Sequence, residues 1–91
     1  MLISESIAIE TDKLKAFFNI PDNTRISYSF IGMGKRGGEV LIEFSGSDRR
    51  IYKIEYFDII KFLKETQDYK GRFEVKTVND SYIKIDKHIM K

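Results

Sequence analysis

The densest group of residues able to do chemistry in this chain is Gly32-Met33-Gly34-Lys35-Arg36-Gly37-Gly38. It spells G-x-G-x-x-G, the turn that cradles dinucleotides. That turn needs a strand before it and a helix after it, so that pyrophosphate meets a helix N-terminus. Here a strand-like alternation follows instead, and no G-K-[ST] closes a phosphate loop. The chemistry left to the segment is electrostatic. At a hairpin tip the glycines let backbone N–H groups approach an anion or an acidic surface, and Lys35 and Arg36 supply charge. Gly34, Lys35, Arg36 and Gly37 are therefore the first candidate binding residues. Arg49-Arg50, just past the Ser45-Gly46-Ser47-Asp48 turn cluster, is the second, since it could join Arg25 or Lys53 in a positive patch. The competing role for both is ordinary: glycines that serve a solvated turn, and arginines that discourage edge-to-edge strand pairing.

Reaction chemistry finds no foothold. The chain has no cysteine, which removes thiolate nucleophiles, disulfides and cysteine-ligated zinc. His88 is the sole histidine and stands three residues from the end of the chain, where an exposed side chain is expected and no metal set can be completed. No serine has a plausible base. Glu39 or Glu43 could meet Glu55 across strands, yet nothing in the spacing distinguishes them from charges on a wet sheet face. We expect a non-enzymatic protein with no cofactor and no metal. Tyr28, Tyr52 and Tyr56 could stack on bases, but they share strand faces with Ile26, Phe30 and Ile54, which assigns them to the core.

The elements that must position these residues follow from periodicity. Leu14, Phe17 and Phe18 are spaced for one helix face over Thr11 to Asn19, with Thr11 as cap and Pro21 as terminator. Residues 3 to 9 fit a strand or an extension of that helix equally well. Clean alternation marks strands at Thr24 to Ile31, Val40 to Phe44 and Arg49 to Phe57, a three-strand meander. Asp58 can cap a second helix, with Ile59, Phe62 and Leu63 inward and Gly71 as stop. Arg72 to Val78 and Ser81 to Asp86, around the Asn79-Asp80 turn, predict a closing hairpin. The helix, three strands, helix order is similar in topology alone to the double-stranded RNA-binding domain. The lysine run that such domains carry at their second helix has no match in Asp58-Ile59-Ile60-Lys61, so no function is carried over.

Together these predict a single α+β domain over residues 1–91. An antiparallel sheet of about five strands, meander plus C-terminal hairpin, would carry two helices packed on one face. Its other face would be wet, mixing Arg25, Lys53, Lys76 and Lys84 with Glu39, Glu43, Glu55, Glu74 and Asp86. A formal charge of +2 is too small to select nucleic acid or membrane by long-range field. No apolar run suits a signal or a membrane span, so a cytoplasmic protein is expected, and its Ile-, Lys-, Tyr- and Phe-rich composition is that of small phage and AT-rich bacterial proteins. The leading expectation is a small binding module, an inhibitor or adaptor docking on another protein, with homodimerisation by strand pairing at the closing hairpin as a related one. A second is a nucleic-acid binder using Lys35, Arg36, Arg49 and Arg50, and a third is a small anionic ligand or nucleotide held by the glycine loop. The nucleic-acid reading predicts that alanine at both Lys35 and Arg36 weakens binding about equally across sequences and lowers the salt slope by roughly two, measured by fluorescence anisotropy.

Overall fold

The computed structural model describes residues 2–33 and 38–90. Strand β1 (Leu2–Glu10) leads into helix α1 (Thr11–Phe17), followed by β2 (Arg25–Ser29), β3 (Val40–Ser45) and β4 (Ile51–Glu55). Helix α2 (Tyr56–Gln67) precedes β5 (Phe73–Val78) and β6 (Tyr82–Met90). The class is α+β, as the sequence predicts, but the expected five-strand sheet is replaced by two three-stranded antiparallel sheets, ordered β1-β6-β5 and β2-β3-β4.

The difference originates at the N-terminus. Ile3, Ile7 and Ile9 suit a strand, while Ile3 and Ile7 also stand one helical turn apart, so local pattern leaves the segment undecided. Long-range pairing decides it. β1 runs antiparallel to β6 in an unshifted register from Leu2↔Met90 to Glu10↔Tyr82, which also carries β6 past the expected end at Asp86. Pairs Ile9↔Ile83 and Ile7↔Ile85 share one face, and Ile83 and Ile85 are buried. With β5 on its other side, β6 is the centre of its sheet rather than a free hairpin edge.

One core serves both sheets. Leu14, Leu41, Phe44, Phe73 and Ile85 are fully enclosed in a single cluster to which every described element except β2 contributes a buried residue; β2 packs Ile26 against it. Tyr56, expected on a strand, opens α2 and stacks on Phe73 with centroids 4.6 Å apart. The edge-on contact of Phe17 with Phe62, at 5.1 Å, joins the helices. Asp58 does cap α2, but from inside its first turn: its carboxylate accepts the Glu55 N–H at 2.8 Å, as in a capping box. At the other end Asp68, not Gly71, takes the left-handed conformation. Gly71 is needed for a different reason, since a Cβ there would lie 2.6 Å from the Tyr69 hydroxyl. Helix α1 ends in a Schellman motif: Asn19 is left-handed, its N–H reaches Ala16 C=O, and the Ile20 N–H reaches Lys15 C=O at 2.8 Å.

Polar bonds fasten the sheets to each other and to α1. Gly32 and Val75 exchange backbone hydrogen bonds of 2.8 Å, with Gly32 at φ 126°, a conformation L side chains rarely adopt. Asp80, in the β5–β6 turn, accepts the Ile26 N–H on its carboxylate at 3.1 Å and the Thr11 hydroxyl on its carbonyl at 2.6 Å. Thr11, expected to cap α1, is thus its first residue and bonds across the fold instead. Lys15 is buried, and its ammonium donates to Thr24 C=O at 2.7 Å and sits 5.2 Å from the Phe44 ring centroid. A charged donor satisfying a buried carbonyl contributes about 1.5–3 kcal/mol, so Lys15→Met, which keeps the stem and removes the donor, should lower unfolding free energy by about that much in urea titration. An unchanged midpoint would contradict the assignment.

Candidate interaction surface

Directly opposed residues of neighbouring strands lie on one face of a sheet. In β2-β3-β4 the registers therefore align Tyr28, Glu43 and Lys53 in one row and Arg25, Ser45 and Ile51 in the next. The intervening row, Ile26, Phe44 and Tyr52, points the other way, into the core. Tyr28 is 46% exposed and Ile51 56% exposed, so the outward face carries an aromatic and an aliphatic side chain among two cations and a carboxylate.

This face departs from the sequence expectation at Tyr28. Strict alternation puts Ile26, Tyr28 and Phe30 together on the inner side. The β2–β3 register shifts between Ile26 and Tyr28, leaving Ser27 as the extra residue of a bulge whose hydroxyl donates to Glu43 C=O at 3.3 Å. Ile26 keeps its inward place and Tyr28 turns out. Of the three tyrosines assigned to the core, Tyr52 is half-buried and Tyr56 buried, and only Tyr28 is lost to the surface.

The sequence candidates fall in two groups. Arg49 and Arg50 are exposed in the β3–β4 turn, one step from the Arg25, Ser45, Ile51 row, so the structure does bring Arg25, Arg49 and Arg50 to the same end of one sheet. Arg49 adopts a left-handed φ of 65° and its N–H reaches Gly46 C=O at 3.1 Å, closing the turn. Asp48 holds Arg50, accepting its N–H at 3.1 Å, with the two side chains 3.9 Å apart. Gly34, Lys35, Arg36 and Gly37 lie outside the described residues. The chain leading to them exposes Ile31 and Met33.

The expected single wet face is shared between two sheets. Arg25, Glu43 and Lys53 belong to β2-β3-β4, whereas Glu74, Lys76, Lys84 and Asp86 belong to β1-β6-β5. Glu55 ends β4 and is at the same time the N-cap of α2. On the second sheet Lys76 pairs with Glu74 at 3.3 Å, and Ser6 donates to Asp86. His88 is a correction: it lies on β6 with its side chain 18% exposed, and neither ring nitrogen has a hydrogen-bond partner among the described residues. The Glu74 carboxylate is 3.8 Å from its Nε2, an ion pair when the ring is protonated. Among the described residues no cluster of His, Asp or Glu could hold a metal ion, and no helix is long and apolar enough to cross a membrane.

A groove of about 680 Å³ opens between the end of β1 and the two helices, lined by Ala8, Ile9, Phe17 and Phe62. Lys13 and Glu10 pair across its rim at 3.7 Å. Nothing in the sequence alone marks it, because α2 closes it from far along the chain against the consecutive β1 and α1.

No family model, no curated protein and no solved structure matches this chain. On the surface itself Arg49 offers a direct probe. A non-glycine residue at left-handed φ costs on the order of 1 kcal/mol, a strain that persists at functional positions. Arg49→Gly should raise unfolding free energy by about 0.5–1 kcal/mol while weakening whatever the basic end binds. Equal or lower stability would show that the turn carries no strain at that residue.

Proposed function

We propose that the protein is a non-enzymatic binding module of the inhibitor or adaptor kind, which docks on a partner protein through the outward face of β2-β3-β4. The observation that carries this reading is the emergence of Tyr28 and Ile51 on a face that also presents Arg25, Lys53 and Glu43. Interface cores are enriched in tyrosine and arginine and rimmed by polar groups, and a tyrosine supplies large contact area while freezing few rotors. A bulge that turns an aromatic out of the core gives up burial of about 1.5–3 kcal/mol, a cost that contact with a partner would recover. Glu43, set between Tyr28 and Lys53, favours a protein of mixed charge over a phosphate backbone.

A second reading, nucleic-acid binding, draws on the grouping of Arg25, Arg49 and Arg50 at one end of that sheet. Anisotropy with labelled duplex and single-stranded probes at two salt concentrations separates the two, since contacts to phosphate weaken steeply with salt.

The protein reading is tested by affinity capture from the source cell with wild type, Tyr28→Ala and Ile51→Ala, each first shown to keep wild-type circular dichroism. A nuclease-resistant partner should be retained by wild type and lost by roughly tenfold or more in each variant, the size of a hot-spot truncation. A partner held equally by all three would place the binding surface elsewhere.

A further inference from the structure

The sheet edges are not treated alike by this fold. The outer edge of β5 is engaged by the Gly32–Val75 bonds, and that of β2 by the Asp80 carboxylate on the Ile26 N–H. The β2–β3, β3–β4 and β5–β6 ladders each contain a register shift, while β1–β6 has none along nine residues. Among the described residues no strand pairs with the outer edge of β1. That strand, LISESIAIE, has no proline, lysine or arginine, and of the charged residues by which natural edges resist pairing it carries only Glu5, paired with Lys87, and Glu10 at its end.

Bond direction along β1 follows from its ends. Thr11 N–H donates to Ser81 C=O, and His88 N–H donates away from β1 to the C=O of Arg72, the residue before β5. Because bonded and non-bonded residues alternate in an antiparallel ladder, Glu5, Ile7 and Ile9 bond β6. The N–H and C=O groups of Ser4, Ser6 and Ala8 are then aimed outward, and all three residues are small.

We infer that β1 pairs with β1 of a second copy, antiparallel and about a two-fold axis at Ser6, joining two sheets into one continuous six-stranded sheet. Three features favour a second copy as the occupant. The Ser6-centred register pairs all nine residues of each strand, the greatest overlap available, and couples the outward-aimed groups of Ser4 with those of Ala8. In it no glutamate faces a glutamate: Glu5 stands opposite Ile7 and Glu10 opposite Leu2. In this register the start of the second strand also runs along Ala8 to Glu10, which line the groove between β1 and the helices. This inference does not depend on the β2-β3-β4 face, and the two fail separately, one in capture and the other in mass.

The test is molar mass by light scattering over a concentration series, together with cysteine cross-linking in a chain that has no native cysteine. Wild type should approach twice the 10.7 kDa chain mass as concentration rises. Under mild oxidation Ser6→Cys should form a linked dimer, because opposed α-carbons in such a pair lie about 5.5 Å apart, within disulfide range. Ser4→Cys, facing Ala8, should stay unlinked. Ser6→Pro removes an N–H that β6 does not use, so it should give a folded monomer by circular dichroism and scattering. A wild-type monomer throughout, linkage through Ser4→Cys in place of Ser6→Cys, or a dimer that survives Ser6→Pro would each overturn the inference.

Discussion

The ladder between the two ends of the chain is the constraint on which the rest depends. β1 and β6 are separated by almost the whole sequence, and their pairing places Ile7 and Ile9 against Ile83 and Ile85 at the centre of the core wall. Contacts of that separation are costly in loop entropy and form only when burial offsets it. Once formed, the ladder fixes the start of α1 at Thr11 and the position of the β5–β6 turn. Through Asp80 that turn then holds the edge of β2. The second sheet is thus hung from the first by a few directed bonds and a shared core.

At the end of β6 beyond this core the fold accepts a buried cation. Lys87 is 9% exposed, pairs with Glu5 at 3.1 Å and lies 5.1 Å from the Tyr69 ring centroid. The Tyr69 hydroxyl is within hydrogen-bonding distance of the Arg72 and His88 carbonyls, and burial, above all, raises its pKa above the usual tyrosine value. Since Glu5 is half exposed and Lys87 is not, the lysine depends on the pair more than the glutamate does. The pair stands in the ladder between the Ile7↔Ile85 and Ile3↔Ile89 pairs and aligns β1 on β6 there.

Much of this was legible in sequence because local pattern and global structure agree over most of the chain. The meander, α2 and the closing hairpin follow from alternation and helical spacing, and the α+β class with them. What was illegible has physical causes. Ile3 and Ile7 satisfy two periods at once, and only Ile83 and Ile85, far along the chain, choose between them. Tyr28 is displaced by a one-residue bulge at Ser27, which turns it outward while Phe30 still packs on the core and the alternation stays intact to the eye. The nearness of His88 to the end of the chain suggests an exposed side chain, but β6 runs past it. The Arg49-Arg50 pair was found from charge alone, whereas its proximity to Arg25 needed the register. The groove could not be anticipated, since Ala8, Phe17 and Phe62 have no pattern in common.

One strand, β1, both closes the fold and forms an edge of its sheet, and residue-resolved amide hydrogen exchange along it is the most direct test. An alternating record is expected at low protein concentration, with slow exchange at Ile7 and Ile9 and fast exchange at Ser6 and Ala8, whose amides should slow as concentration rises. Uniformly fast exchange from Ser4 to Ile9 would mean that β1 does not close the sheet, and uniform protection independent of concentration would mean that its outer edge is already covered.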